Sequence, residues 1–310
     1  MTLCIAAICT HEKGPAIVLC SDWRSETGDV AGGDVQDKLS WIVPQRWAAL
    51  KAGPITEADR LASVVISAFQ EIAVPMNETG IISIFDVAMQ RYRWMLIDHY
   101  MQARLGITYS SLVGGITISS GSTTSKVSLP EGFVNEKLHE AENVPFPACF
   151  LIVTGFVENT PILCVLNEEN ASYSRVRFES NLAAIGSGAP AALISLYRRE
   201  HTAPDVQLMK AVYHVFEAKL AGEISPGVGG ATSITVLFPD GRCWDLSTNG
   251  HKRVNDLYNY FGPIVIRGRR PKLKPPFFAF RDDYFEPYKL PWEKKMPNDI
   301  IKDAASSSEP

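Results

Sequence analysis

Thr2 is the first residue of the sequence that could act as a nucleophile. An initiator Met is normally removed before a small residue, so the expected mature chain starts at Thr2 with a free α-amino group. Such an amine has a pKa of about 7.7–8.0, leaving a working neutral fraction near pH 7. It can take the proton from the hydroxyl of its own residue, the simplest form of a nucleophile with an adjacent base. Thr is common at the second position, so the neighbouring residues must decide whether this chemistry is used. A second constellation, Gly186-x-Gly188-x-x-Ala191, follows an apolar run and opens a helical pattern, as a dinucleotide-binding turn does. Its expected context is a further strand ending in an acidic residue about 20 positions on. Residues 204–209 instead begin another helix, so the motif reads as a tight strand-to-helix turn. No G-x-S-x-G or H-E-x-x-H motif is present, and the six His (11, 99, 139, 201, 214 and 251) are dispersed. The six Cys (4, 9, 20, 149, 164 and 243) form no C-x-x-C pair and sit mostly in apolar runs. They read as reduced thiols of a cytoplasmic protein, and neither a metal nor a cofactor is expected.

The elements that must position Thr2 are short apolar strands. Residues 3–8 and 16–21 flank His11-Glu12-Lys13-Gly14-Pro15 and predict a hairpin, with two further strands at 38–43 and 47–50. Thr56-x-x-Asp59 and Ser83-x-x-Asp86 predict two helix starts. The first has Leu61, Val65, Ala68 and Ile72 on one face. The second has Ile84, Ala88, Tyr92, Met95 and Leu96 at helical spacing and ends at Gly106. Residues 110–146 are Ser-, Thr- and Gly-rich, then charged, and read as a long insertion of low regularity. A hairpin follows at 150–156 and 161–166, then a strand near 183–185 and helices from about 190 to 199 and from Thr202-x-x-Asp205, and a last hairpin turning at Asp240-Gly241. Strands, two helices, strands, two helices and strands predict an α+β chain, its antiparallel sheets covered by helix pairs. Residues 1–268 read as one domain, and the Pro- and aromatic-rich 269–310 as an extension with a disordered tip. The chain has 30 Lys plus Arg against 34 Asp plus Glu, a balance that argues against nucleic acid despite the basic stretch at Arg267, Arg269, Arg270, Lys272 and Lys274. No apolar run is long enough for a membrane span.

Several segments in order resemble the β-type subunits of proteasomes, N-terminal nucleophile hydrolases related to the peptidase subunit of bacterial ATP-dependent proteases. They are Thr2-Leu3 to Ala7, Ala16 to Arg24 with Ser21-Asp22, Asp37-Lys38-Leu39, and Ala52-Gly53. Downstream, Leu151 to Phe156 with Pro161-Ile162-Leu163, Ala184-Ile185-Gly186-Ser187-Gly188-Ala189 and Gly229-Gly230-Ala231 continue the likeness, over about residues 2–250. The Asp22-to-Lys38 separation is that of the family's catalytic Asp and Lys, and Thr2 fits its nucleophile if the first hairpin is four residues longer. The family often carries an Asp and a Ser just before its Gly-Gly; here Ser225 and Val228 stand there.

The resemblance implies a four-layer αββα sandwich acting as a threonine endopeptidase or amidohydrolase on a peptide or amide substrate. Thr2 would attack, Lys38 would favour the alkoxide, and Asp22 would orient Lys38. Gly53 N–H would face the oxyanion, and Ser187 would lie near the N-terminal amine. Lys51, two residues before that glycine, would line the pocket for the side chain preceding the scissile bond and favour acidic groups; alternatively it pairs internally with Glu57 or Asp59. Homo-oligomers are expected, with any unfoldase partner left open. The rival readings are hydrolysis of small amides on the same fold and a non-catalytic, α-subunit-like assembly component.

Overall fold

The computed structural model describes residues 2–22, 24–27, 30–34, 38–71, 77–120, 123–145, 147–167, 175–179, 181–201, 206–261 and 279–288. The chain opens with β1 (Leu3–His11), β2 (Gly14–Asp22), β3 (Arg24–Thr27), β4 (Val30–Asp34), β5 (Leu39–Val43) and β6 (Trp47–Ala52). Two helices follow, α1 (Ile55–Glu71) and α2 (Glu78–Leu105), then α3 (Tyr109–Gly114), β7 (Ile116–Ser120), β8 (Thr123–Val127) and α4 (Glu131–Glu142). Next come β9 (Phe150–Val157), β10 (Thr160–Asn167), β11 (Arg175–Phe178), β12 (Leu182–Gly186), α5 (Ala189–Arg198) and α6 (Leu208–Gly222). The last described elements are β13 (Thr232–Leu237), β14 (Cys243–Leu246), α7 (Thr248–Phe261) and β15 (Phe285–Pro287).

The strands build a six-stranded sheet, β12-β1-β2-β13-β14-β15, and a five-stranded sheet, β11-β10-β9-β6-β5, antiparallel throughout. The expected antiparallel sheets and helices are thus present, with α3, α4 and α7 in addition to the two expected helix pairs. In β1, Leu3, Ile5 and Ala7 belong to a core shared with α5, α6 and α7, whereas Cys4, Ala6 and Ile8 meet Leu50, Ile152 and Val165 of the second sheet. Both faces of β1 are buried, which is why it reads as an unbroken apolar run rather than an alternating one. A third core joins Ala49, Leu151 and Val153 to the inner faces of α1 and α2.

Several boundaries differ from the sequence expectation. Thr56 and Asp59 lie inside α1 rather than capping it, and the Asp59 carboxylate accepts from Lys51 Nζ at 2.7 Å. Ser83 and Asp86 lie inside α2, which starts earlier because the Asn77 side chain accepts the Gly80 N–H at 2.8 Å. Gly106 ends α2 as expected, with φ 67°. Residues 110–146 are not irregular: β7 pairs with β8, and Phe133, Leu138 and Ala141 pack with Leu112 on Ile97 and Met101 of α2. Part of the expected extension joins the main sheet, because β15 pairs with β14 and buries Phe285. Tyr288, also buried, meets Trp41 of β5 edge-on, so this segment touches the outer strands of both sheets. The expected helix start at Thr202 and Asp205, Asp37, the basic stretch at 267–274 and the tip after 288 lie outside the described residues. Among the described residues no helix is long and apolar enough to cross a membrane.

Candidate active site

Antiparallel pairing brings the start of β1 to the end of β2, with Cys4 opposite Ser21. Thr2, just before β1, therefore meets Asp22, the last residue of β2. The Thr2 hydroxyl donates to Asp22 Oδ1 at 2.7 Å, and the Leu3 N–H donates to the same oxygen at 2.8 Å. Lys38, immediately before β5 of the other sheet, reaches across: its Nζ lies 2.7 Å from Asp22 Oδ1 and also donates to Thr2 Oγ1. Asp22 Oδ2 accepts the Gly229 N–H at 2.9 Å, from the loop before β13. Asp22 is fully buried, and Thr2 and Lys38 are 6 % and 8 % exposed. A carboxylate in such a place needs its donors, because a buried charge without partners is strongly disfavoured. The Thr–Asp–Lys cluster is thus closed on itself, each member holding the other two.

The backbone around Thr2 is pinned by glycine. Gly186, opposite Leu3, has φ 97°, and a Cβ there would stand 2.2 Å from the Thr2 carbonyl oxygen. That oxygen accepts from Ser187 Oγ at 3.4 Å and from Gly188 N at 3.5 Å. Ser187 thus touches Thr2 through its carbonyl oxygen. The Gly-x-Gly motif is the tight turn from β12 into α5, and it serves to let Thr2 approach.

Gly53, just past β6, has φ 103°, and a Cβ there would meet the Ala148 carbonyl oxygen at 2.3 Å. The end of β6 is tied to the cluster by backbone: Lys51 N–H donates to the Lys38 carbonyl at 3.0 Å, and Cys4 Sγ to the Lys51 carbonyl at 3.3 Å. The Lys51 ammonium is satisfied internally by Asp59, whose side chain is 46 % exposed. Of the two readings for Lys51, the ion pair is therefore present. Gly229 was not singled out for a role by sequence; its signal lay in the Gly229-Gly230-Ala231 segment, but a backbone N–H leaves no mark in side-chain identity. Ser225 and Val228 make a turn in the same loop, with Val228 N–H donating to the Ser225 carbonyl at 3.3 Å.

Among the described residues no group of three or more His, Cys, Asp or Glu is placed to hold a metal ion. The arrangement can raise the nucleophilicity of one hydroxyl, since Lys38 favours an alkoxide at Thr2 Oγ1 and Asp22 holds Lys38 on it. No protein-family model matches the chain, and no curated protein matches it either.

Proposed function

We propose that the chain is an N-terminal threonine hydrolase that cleaves peptide or amide bonds, built as a four-layer αββα sandwich like the β-type subunits of proteasomes. The observation that carries the reading is the buried Thr2–Asp22–Lys38 cluster, assembled from three separate segments. The layer order is supported by the three cores, which lie between helices and the six-stranded sheet, between the two sheets, and between the five-stranded sheet and helices.

The mechanism requires cleavage of the Met1–Thr2 bond, which frees the amine. Thr2 Oγ1 then attacks the substrate carbonyl carbon, and its proton passes to the Thr2 amine. Lys38 stabilises the oxygen as the negative charge develops, and Asp22, held by the Gly229 and Leu3 N–H groups, keeps Lys38 aligned. The oxyanion of the tetrahedral adduct faces the Gly53 N–H. Collapse breaks the C–N bond, and the proton held by the amine goes to the leaving nitrogen. Water, deprotonated by the same amine, hydrolyses the resulting ester and restores Thr2. Ser187, hydrogen-bonded to the Thr2 carbonyl, fixes the residue that carries both nucleophile and base. Self-association into homo-oligomers belongs to the same reading and is checked by light scattering at micromolar concentration.

The test combines N-terminal sequencing, intact mass after treatment with a Thr-directed electrophile, and hydrolysis of a fluorogenic peptide amide. The expected result is a single adduct on a chain starting at Thr2, with Thr2→Ala and Lys38→Ala each losing at least about 10³-fold in kcat. Active protein that still carries Met1 overturns the mechanism.

A further inference from the structure

Lys219 is a fully buried cation on α6, a helix whose neighbours Val215, Phe216 and Ala218 are core residues. An apolar side chain of similar volume would fill this place without the cost of desolvating an ammonium. The charge has two partners. Lys219 Nζ donates to the Gly230 carbonyl at 2.6 Å and pairs with Glu223, one turn on and half-buried. On the neighbouring elements, burial pushes the Cys20 thiol of β2 up and the His251 imidazole of α7 down, and the Lys219 charge works against the first shift and with the second.

Gly230 adjoins Gly229, whose N–H donates to Asp22 Oδ2. The next ladder pair, Thr232 with Asp22, is ordinary strand pairing between β13 and β2. The backbone of 229–231 must therefore leave the strand path to aim an N–H at the Asp22 side chain, and Lys219 grips the carbonyl beside that departure. The Thr232 hydroxyl also donates to the Gly230 carbonyl, at the longer distance of 3.4 Å, and Val228 anchors the loop in the core, while Ile224 on its outer side is 85 % exposed.

We infer that Lys219 is a positioning residue for the Thr2–Asp22–Lys38 cluster: by holding the Gly230 carbonyl it sets the Gly229 N–H on Asp22, and so fixes the carboxylate that aligns Lys38 and Thr2. The assignment rests on the threonine mechanism proposed above. It deepens that mechanism by adding a cation from the helix layer, remote from substrate, to the residues on which turnover depends.

The experiment compares the wild-type chain with Lys219→Met, Glu223→Gln and, as the reference for a lost bond, Asp22→Asn. It reads the Gly229 amide proton shift by NMR, and kcat and KM on a peptide amide. The Gly229 amide should sit downfield in the wild type and move upfield in both Asp22→Asn and Lys219→Met. Lys219→Met should lower kcat by about tenfold to a hundredfold with KM within about twofold, because misplacing an aligning group by an ångström costs rate rather than binding. Glu223→Gln, which keeps the bond to Gly230, should leave the Gly229 shift in place. A folded Lys219→Met chain with an unmoved Gly229 resonance, or with kcat within about twofold of wild type, overturns the assignment. If Lys219→Met does not fold, the wild type decides: Lys219 Nζ protons protected from exchange, with a cross-peak to Gly230, support the assignment, and their absence overturns it. Wild-type protein that neither hydrolyses the amide nor is labelled at Thr2 sinks the threonine mechanism instead. The Gly229 and Lys219 resonances still decide, in that event, whether Lys219 sets the Asp22 carboxylate.

Discussion

Asp22→Asn keeps the size and shape of the side chain and removes its charge. The carboxylate accepts from Thr2 Oγ1, Leu3 N and Lys38 Nζ at one oxygen and from Gly229 N at the other. An amide can present its oxygen to only one of these sets, so its NH₂ must face a donor on the other side. Whichever way it turns, Lys38, with a side chain only 11 % exposed, loses its counter-charge. Breaking one partner out of a buried ion pair costs about 3–5 kcal/mol, and the retained oxygen places the expected loss near the lower end, at about 3 kcal/mol. Denaturant unfolding with an unchanged m-value measures it. A double-mutant cycle with Lys38→Met should return a coupling of at least about 1 kcal/mol, because the second substitution removes the stranded ammonium. If Asp22→Asn lowers stability by less than about 1 kcal/mol, the cluster is not the closed, charge-paired unit described above.

Gly53→Ala should cost about 2 kcal/mol or more in denaturant unfolding, since it adds left-handed strain to a Cβ placed 2.3 Å from the Ala148 carbonyl; a loss under about 0.5 kcal/mol contradicts the geometry. Burial holds the His214 imidazole down to about 2, with His201, Arg199 and Lys210 adding repulsion, and burial also lowers His201. His214 therefore stays neutral in the folded chain where the unfolded chain protonates it, and His201 shifts in the same direction. Stability is full above about pH 6.5 and falls below it by up to about 1.4 kcal/mol per pH unit from His214, with His201 acting in the same direction, and His214→Phe should reduce that slope by one proton. Asp59→Asn frees the Lys51 ammonium from a half-exposed pair worth about 0.2–1 kcal/mol, so a fluorogenic panel should show relative kcat/KM for acidic side chains before the scissile bond rising about two- to fivefold. An unchanged panel would remove Lys51 from the pocket.

The first hairpin was legible because β1 and β2 are apolar on both faces, whereas the Asp22-to-Lys38 interval was legible only through the family resemblance, since neither residue's type marks it out locally. The 110–146 segment was not, because β7 alternates only over Ile116 and Ile118, β8 is polar up to Val127, and the helix α4 packs on the far half of α2. The helix α7 left a signal that went unread: Val254, Leu257, Tyr258 and Phe261 recur at helical spacing on the inner core. Lys219 was hidden for the opposite reason. A lysine in a helix reads as solvated, and only packing reveals that α6 is enclosed on every side. The strand β15 is three residues long, too short for periodicity, and its place comes from pairing with β14.

The six-stranded sheet is assembled from strands that lie far apart along the chain, with β1 paired to β12, about 180 residues later, and its outer edge closed by residues 285–287. At a ribosomal rate of about 5–20 residues per second, the apolar β1–β2 hairpin waits on the order of 10–40 s for its neighbour. During that interval it presents open backbone and two apolar faces, the surface that other nascent chains and holding chaperones engage. The hairpin that supplies Thr2 and Asp22 is thus made long before the strands that flank it and is among the last elements to be enclosed.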